Sequence, residues 1–222
     1  MIIAIDGASG TGKSTISKLV AKELDLSYID TGAIYRSVAF AVKKDAIDLN
    51  DEQALKVLCS SLPIKFEFID GVNKVFLGEL DISEAIRTPE MSMLASKVSA
   101  LPIVRSSLLE MQRRLAKTTS KKGAILDGRD IGTVVFPDAE AKIFLTASDA
   151  TRAKRRYEEL VSKGITVDYD TILKETIARD KQDSQRTLAP LKKASDAVHI
   201  DTDGLNIEQV KEKILKIVKE RT

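Results

Sequence analysis

The sequence contains no tryptophan, a single cysteine, Cys59, and a single histidine, His199. One cysteine excludes an internal disulfide and favours a reducing compartment, so we expect a cytoplasmic protein. Cys59 is expected to fill the core as a small apolar side chain. One histidine argues against a His-based catalytic triad and against a His-rich metal site. His199 lies in an apolar segment and is expected to be a strand residue.

Long apolar runs and a strong charge of either sign are also lacking. No run approaches the ~20 residues of a membrane-spanning helix, and the N-terminus begins as a strand, so no signal peptide is expected. The net charge is +2, and composition therefore predicts neither a nucleic acid nor a membrane as partner. A chain of 222 residues with 43% hydrophobic and 31% charged residues is typical of a single globular enzyme domain. We expect a monomer.

A glycine-rich segment near the N-terminus is the most informative feature present. It reads Gly7-Ala8-Ser9-Gly10-Thr11-Gly12-Lys13-Ser14 and matches the phosphate-binding P-loop. It follows the apolar run Ile2–Ile5 and precedes apolar residues at helical spacing, Ile16, Leu19, Val20 and Leu24. The N–H groups of such a loop and the helix N-terminus attract phosphate. We expect Lys13 to reach the outer phosphates and the Ser14 hydroxyl to ligate Mg²⁺. A glycine-rich turn without a ligand is the alternative.

Short apolar segments alternate with helical patterns along the chain. The predicted strands are Ile2–Ile5, Ser27–Asp30, Ala124–Asp127, Lys142–Leu145 and Ala197–Ile200. The last helical pattern is formed by Ile207, Val210, Ile214 and Ile217. Short apolar strands separated by helices predict an α/β fold with a doubly wound, five-stranded parallel sheet.

Residues ~60–85 depart from this alternation. Ile64–Phe68 alternates apolar and charged side chains, as in a half-exposed antiparallel strand. Asp70-Gly71 is a hairpin signal, and Val75–Leu77 and Leu80–Ile82 are candidates to pair back. The segment is therefore predicted to be a small antiparallel β insert on the parallel core.

Residues ~148–186 are predicted to form a helical lid of two helices. The first is capped by Ser148 or Asp149 and ends near Lys163-Gly164; the second is capped by Asp168 or Asp170. The remaining residues, about 1–59, 86–147 and 187–222, are predicted to be the core of one domain.

Arginines concentrate around this lid and near the ends of predicted elements. Arg152, Arg155 and Arg156 lie on or near one turn of the first lid helix, and Arg179 and Arg186 are expected to follow the second. The guanidinium fork suits phosphate, and phosphoryl transfer develops charge that needs it. For any one arginine, an ordinary surface position is the alternative.

Three motifs connect these arginines to a ligand. They are Ile29-Asp30-Thr31-Gly32-Ala33-Ile34-Tyr35-Arg36, Leu126-Asp127-Gly128-Arg129-Asp130-Ile131-Gly132-Thr133 and Arg179-Asp180-Lys181-Gln182-Asp183-Ser184-Gln185-Arg186, the last followed by Ala189-Pro190-Leu191. The first two directly follow predicted strands, where sheets of this class bind ligands.

Together with the P-loop, these motifs closely resemble the bacterial cytidylate kinase family, from the first strand to about Ile200. The first two motifs are the most specific, and the β insert is similar to the enlarged monophosphate-binding lobe of that family. The resemblance implies a P-loop kinase that transfers the γ-phosphoryl group of ATP to CMP or dCMP, with Mg²⁺.

The resemblance also implies roles for individual residues. The ATP phosphates would be bound by Gly7, Ala8, Ser9, Gly10, Thr11, Gly12, Lys13, Ser14 and Thr15. The acceptor phosphate would be clamped by Arg36, Arg129 and Arg186, and the cytosine edge would be read by Ser96, Arg105 and Asp130. Arg179 and Asp183 would contact the sugar, Tyr35 would pack against the base and Thr31 would position the acceptor. Arg152 and its neighbours would approach ATP, which makes Lys13, Arg129, Arg186 and Arg152 the expected catalytic residues.

The chemistry of the reaction agrees with this set of residues. A phosphate monoester with a second pKa near ~6 is mostly dianionic at pH 7 and needs no general base. The obstacle is repulsion between anions, which Lys13, Mg²⁺ and the arginines reduce. Asp127 is expected to hold Mg²⁺ through water, with a strand-end turn aspartate as the alternative.

Other functions stay open at this point. A kinase of UMP, of another nucleoside monophosphate or of a different small molecule is possible on the same fold. A nucleotide-gated switch is less consistent with the sequence because Asn73-Lys74-Val75-Phe76 lacks the aspartate of a guanine-reading motif.

Overall fold

The computed structural model describes residues 1–69 and 72–221. The strands are, in chain order, β1 (Ile2–Gly7), β2 (Ser27–Asp30), β3 (Ile64–Ile69), β4 (Val72–Leu77), β5 (Leu80–Asp81), β6 (Ala124–Gly128), β7 (Ala141–Thr146) and β8 (Val198–Asp201). The helices are α1 (Lys13–Glu23), α2 (Thr31–Lys44), α3 (Glu52–Ser61), α4 (Pro89–Ser99), α5 (Pro102–Lys117), α6 (Asp149–Ser162), α7 (Tyr169–Gln185) and α8 (Ile207–Arg221). A 3₁₀ turn spans Ala85–Arg87 and a π-helical turn spans Ile131–Val135.

The chain divides into two compact units. The first, which we call the P-loop unit, comprises Met1–Ile29 and Arg113–Thr222, and the second, which we call the middle unit, comprises Asp30–Gln112. The predicted division into a core, an insert and a lid describes parts that are expected to move separately. It stays a prediction.

The central sheet has the strand order β2-β6-β1-β7-β8. β1 pairs in parallel with both β6 and β7, and β7 pairs in parallel with β8. Each of the five strands predicted from the sequence is present to within two residues at either end. The predicted α/β fold with a five-stranded parallel sheet is confirmed. β1 lies at the centre of the sheet, so the loops that follow β1 and β6 are neighbours.

The core of the P-loop unit forms where α1 and α8 pack on this sheet. Ile16 and Val20 of α1 and Val210 and Ile214 of α8 are buried together with strand residues. Two side chains predicted for these apolar faces were assigned wrongly, since Leu19 is 36% and Ile207 54% exposed. Both lie at the margin of the helical stripe, where a residue turns towards solvent without breaking the pattern.

The predicted β insert is a three-stranded antiparallel sheet, β3-β4-β5. Its apolar face packs against α2 within the middle unit, where Ile64, Phe66 and Val75 meet Ala33 and Phe40. The charged side chains that alternate with them are on the other face, as a strand period of two requires. The predicted Asp70-Gly71 turn lies outside the described residues.

The two predicted lid helices are α6 and α7. The Ser148 hydroxyl caps α6 by accepting from Thr151 N at 3.3 Å, and Asp168 caps α7 by accepting from Thr171 N at 2.8 Å. The expectation that Arg179 follows the second helix was wrong. α7 continues to Gln185 because no glycine or proline interrupts it before Pro190, so most of the third motif is helical and projects side chains at helical spacing.

A membrane-spanning helix is absent from the part of the chain described, because no helix there is both long and apolar enough.

Candidate active site

The loop between β1 and α1 folds over its own backbone. Lys13 Nζ donates to Ala8 O at 2.5 Å and to Thr11 Oγ1 at 3.4 Å, and Thr11 Oγ1 donates to Ala8 O at 3.0 Å. Gly10 has φ +78° in the left-handed region, and a Cβ there would lie 2.9 Å from Arg152 Cβ. The segment therefore has the compact, glycine-dependent shape that a phosphate-binding loop requires.

Lys13 is a buried ammonium among other positive charges. Burial, together with the charges of Arg129 and Arg179, lowers the pKa of Lys13 to about 7, although Asp127 and Asp6 oppose the shift. A buried cation whose charge is under-compensated favours the approach of an anion, because an anion restores the ammonium form. The excess positive charge around Lys13 therefore favours the binding of phosphate.

Ser14 and Asp127 meet beside this loop. Ser14 Oγ donates to Asp127 Oδ2 at 2.6 Å, and Tyr28 OH donates to the same oxygen at 3.3 Å. A hydroxyl and a carboxylate are oxygen ligands of the kind Mg²⁺ prefers, and Mg²⁺ is usually bound by one or two protein groups together with phosphates and water. Within residues 1–69 and 72–221 no group of three or more His, Cys, Asp or Glu could hold a metal ion. The pair therefore fits Mg²⁺ brought with a nucleotide.

Arginines and carboxylates of the second and third motifs are paired within the P-loop unit. Arg129 Nε donates to Asp183 Oδ2 at 2.9 Å. Arg186 Nη2 lies 3.8 Å from Asp130 Oδ1, with both side chains 6% exposed. Burial acts to raise the pKa of Asp183, but Arg129 and Arg179 hold it below its usual range. The ion pairs orient the guanidinium groups of Arg129 and Arg186, and Arg129 is close enough to Lys13 to lower its pKa.

Arg152 fastens α6 to the P-loop and to α7. Its Nη1 donates to Ser9 O at 3.0 Å, its Nε to Ala147 O at 3.0 Å, and its Nη2 to Asp149 at 2.5 Å and to Asp180. All three nitrogens of this guanidinium are thus engaged by protein groups in this conformation. The resemblance implies that Arg152 approaches ATP; here it contacts the P-loop backbone.

Arg155 makes a second connection of the same kind. Its Nη1 donates to Gly10 O at 3.3 Å and to Thr202 Oγ1 at 3.1 Å, and its Nη2 donates to Thr202 O at 3.1 Å. Arg179, on α7, reaches Ser9 Oγ at 3.4 Å. The N-terminal half of α6 and the C-terminal half of α7 are therefore bound to the P-loop and the residues around it, whereas the part of the segment between them is held by its own apolar cluster.

The remaining predicted residues lie in the middle unit. Asp30 caps α2 by accepting from Ala33 N at 2.8 Å and also pairs with Arg36 Nη2 at 3.0 Å. The Arg105 guanidinium lies over the Tyr35 ring, 5.5 Å from its centroid. Ser96 is buried and Thr31 begins α2. This cation–π contact fixes the Arg105 and Tyr35 side chains next to each other.

Several residues of the site were missed by sequence reasoning. Asp6 and Thr202 belong to none of the motifs, and Asp180, although it lies in the third motif, was given no role. The partners of all three are distant in sequence. Asp6 did have a signal: it is a carboxylate directly after the four apolar residues Ile2–Ile5 of a predicted buried strand. Buried carboxylates are rare unless paired, so this position could have been singled out.

Comparison with known proteins agrees with the motifs. A family model described as cytidylate kinase matches residues 3–220. The protein named cytidylate kinase from Syntrophotalea carbinolica is 52% identical over 221 residues, covering 100% of this chain and 93% of that protein. Those from Geobacter sulfurreducens and Bacillus subtilis are 48% and 46% identical, covering 100% and 99% of this chain and 94% and 97% of the relatives. The crystal structure of an uncharacterized protein from Eubacterium ventriosum aligns over 100% of this chain and 99% of that chain with a TM-score of 0.54 at 17% identity, a likeness of fold alone.

Proposed function

The chain belongs to the cytidylate kinase family, and from this premise we infer that it transfers the γ-phosphoryl group of ATP to CMP and dCMP. The products are ADP and CDP or dCDP. The observation that carries this function is the buried Lys13, with its Ser14–Asp127 pair, close to Arg129 in one unit. It combines a nucleotide phosphate site with guanidinium groups suited to a second phosphate.

We propose that residues Gly7–Thr15 bind the ATP phosphates. The backbone N–H groups of the loop and the N-terminus of α1 would donate to phosphate oxygens. Lys13 would leave Ala8 O for the β- and γ-phosphate oxygens and regain its full charge there. This charge compensates the negative charge that spreads over the γ-phosphoryl group in the transition state.

Arg36, Arg129 and Arg186 are proposed to clamp the acceptor phosphate. The pairs Arg36–Asp30, Arg129–Asp183 and Arg186–Asp130 are support for this, because they orient the guanidinium groups before substrate arrives. The acceptor phosphate is mostly dianionic at neutral pH and attacks without a general base. The protein must then mainly bring two anions into line for the reaction, and preorganised cations reduce the free energy that this requires.

The base and the sugar are proposed to be recognised by polar groups around this clamp. Asp130 would accept from the 4-amino group of cytosine, with Ser96 and Arg105 at the remaining cytosine edge. Tyr35 would pack against the base, Thr31 would position the acceptor, and Arg179 and Asp183 would contact the sugar. The contact between Arg105 and Tyr35 supports this assignment to the extent that two of these side chains lie next to each other.

Mg²⁺ is proposed to bind at Ser14 Oγ and, through water, at Asp127, where it would supply Lewis-acid neutralisation of the phosphate charge. Ser14 would then give its hydrogen bond to Asp127 up for the metal. Asp127 would orient the metal-bound water, and Tyr28 would keep that carboxylate in place.

We propose that the segment 148–186 closes as a lid and that the insert 60–85 moves with the acceptor. The bonds of Arg152 and Arg155 to the P-loop argue that closure bends α6 beyond about residue 156. Hydrogen exchange with and without a bisubstrate analogue tests this. Increased protection in about 157–178 and in the insert is expected, and unchanged protection in both contradicts the lid.

A panel of nucleoside monophosphates with ATP in a coupled ADP assay tests the function itself. We expect kcat/KM for CMP and dCMP to exceed that for UMP, AMP and GMP by about tenfold or more, the scale of one or more specific polar contacts. ATP without an acceptor is the control for hydrolysis. Equal rates with all acceptors, or activity on none, would contradict the proposal.

We further propose a cytoplasmic monomer that serves pyrimidine nucleotide metabolism. The single cysteine, buried in α3, is compatible with a reducing compartment. Light scattering after gel filtration tests the assembly, with a mass near 24.3 kDa expected and a mass of about twice that value contradicting the monomer.

A further inference from the structure

Asp6 is a buried carboxylate at the end of an apolar strand. It is 5% exposed, and its two oxygens accept from Ile131 N and Gly132 N at 2.8 Å each. Burial raises the pKa of Asp6 to about 6, and the two backbone N–H groups oppose the rise. The group is therefore mainly ionised at neutral pH. A buried charge needs strong hydrogen bonds, and both of these bonds go to one loop.

The loop that Asp6 holds carries Arg129 and Asp130. It leads from β6 into the π-helical turn, whose first N–H groups need a cap from outside the turn. Asp130 precedes the turn, but its side chain does not cap it. Asp6 caps it from the adjacent strand instead, and one oxygen of Asp130 lies 3.8 Å from Arg186 Nη2. The cap thus comes from Asp6, which is not among the residues predicted to contact ATP or the acceptor.

A second buried charge closes the other side of the loop. A Cβ at Gly132 would lie 3.2 Å from Lys142 Cδ and 3.4 Å from Asp6 Oδ2. Lys142 is itself fixed, since its Nζ donates to Pro137 O and pairs with Asp196 at 2.8 Å. The backbone at Gly132 is therefore enclosed between two anchored side chains, and the loop has little room to shift.

We propose that Asp6 is a positioning residue for acceptor recognition, which fixes the loop of Arg129 and Asp130 by capping the turn that follows it. The proposal rests on the proposed function, because its effect is read through recognition of CMP. Asp6 acts through the loop and not on the nucleotides. Misplacement of a recognition group by about 1 Å can cost on the order of 100-fold in rate, so a rigid cap has a functional consequence.

The variant Asp6→Asn tests this directly. It replaces one acceptor oxygen by an NH₂ donor that faces a backbone N–H. We expect kcat/KM to fall for both CMP and UMP, because Arg129 contacts the phosphate that they share, but about tenfold more for CMP, so that the CMP:UMP ratio drops about tenfold. The Kd of ATP, measured by calorimetry, should change by less than about threefold. Ile3→Ala, a cavity in the same strand, is the control for lowered stability and should leave the ratio unchanged.

A double-mutant cycle with Asp130→Asn shows whether Asp6 acts through Asp130. If it does, the ratio in the double variant equals that of Asp130→Asn alone. If Asp6→Asn leaves the CMP:UMP ratio unchanged, the proposal is overturned. It is also overturned if Asp6→Asn lowers this ratio by the same factor in the wild-type protein and in Asp130→Asn.

Amide exchange at Ile131 and Gly132 gives a readout without activity. Both amides should exchange faster in Asp6→Asn, and unchanged exchange would overturn the proposal. If Asp6→Asn does not fold, Gly132→Ala is the second variant, because it presses a methyl group against Asp6 and Lys142. It should lower the CMP:UMP ratio in the same way. An unchanged ratio in Gly132→Ala would contradict the positioning role of Asp6. A wild-type enzyme without any preference for CMP would instead contradict the proposed function, before any variant is compared.

Discussion

Two loops follow adjacent parallel strands of the same sheet, and they are held in place by different means. The P-loop after β1 has hydrogen bonds within itself, since Lys13 and Thr11 both donate to Ala8 O, and Arg152 and Arg155 of α6 add bonds to its backbone. The loop after β6 is capped by a side chain from another strand, Asp6, 125 residues before Ile131 in the chain. The internal bonds of the P-loop are local and belong to a sequence motif, whereas the cap of the second loop depends on a contact between strands.

The difference teaches how the two loops should respond to mutation. Substitutions in the P-loop remove groups that contact phosphate or change the shape of the loop itself. Substitutions at Asp6 leave every ligand-facing group present. They change where some of these groups stand, and they also remove a charge that raises the pKa of Lys13. The first class should affect turnover most, and the second should affect the choice of acceptor.

The largest effect is expected for Lys13→Ala. Removing a preorganised charge at the transferred phosphoryl group should lower kcat by on the order of 100-fold or more. Lys22→Ala, an exposed lysine in the last turn of the same helix, is the control. Steady-state rates and thermal melts measure both variants. Wild-type turnover in a folded Lys13→Ala protein would remove the P-loop from the mechanism.

A matched pair of glycine variants tests how tightly the P-loop is packed. Gly10 and Gly164 have φ of +78° and +74°, but only a Cβ at Gly10 meets other atoms within 4 Å, namely those of Arg152. We expect Gly164→Ala to cost about 1 kcal/mol of stability from backbone strain alone. Gly10→Ala should cost about 2–4 kcal/mol because overpacking is added. Denaturant unfolding measures both, and equal losses would contradict tight packing of α6 on the loop.

Asp130→Asn should alter acceptor choice. A carboxylate only accepts hydrogen bonds, whereas an amide can turn to donate to the 4-carbonyl of uracil. The UMP:CMP ratio of kcat/KM should rise about tenfold, which corresponds to ~1.4 kcal/mol. Asp138→Asn, an exposed position in the same segment, should leave the ratio unaltered. If Asp130 serves only to pair with Arg186, both acceptors will suffer alike and the ratio will not move.

The smallest effect is a pH dependence of stability assigned to Asp6. Its folded pKa of about 6 lies above the unfolded value of 3.8, so the folded state binds the proton more tightly and stability falls as pH rises between these values. Asp130, which raises this pKa, and Lys13, which lowers it, are the charged groups that face it. The stability of wild type relative to Asp6→Asn should fall by about 1 kcal/mol from pH 5 to pH 7. Denaturant unfolding at the two pH values measures this, and a difference that rises or stays constant would contradict the raised pKa.

Much of this architecture was predictable because its signals are local. The five strands, the antiparallel insert and the caps Ser148 and Asp168 follow from apolar periodicity and from polar residues at helix starts. The P-loop and the motifs at Thr31–Arg36 and Asp127–Thr133 are continuous segments, so their residue types could be read without knowledge of the fold. The end of α7 was misjudged because a polar stretch without glycine or proline is compatible with either helix or loop.

The amino-acid sequence by itself determined the order of the elements, the family and the chemical groups offered to the two phosphates. Only the tertiary structure decided which carboxylate steadies which loop or arginine: Asp6 with the turn after Asp130, Asp183 with Arg129, and Asp180 with Arg152. The physical reason is that charge pairing acts through space. Many carboxylates and arginines along the chain are chemically equivalent as partners, and only burial at particular strand and helix ends selects among them.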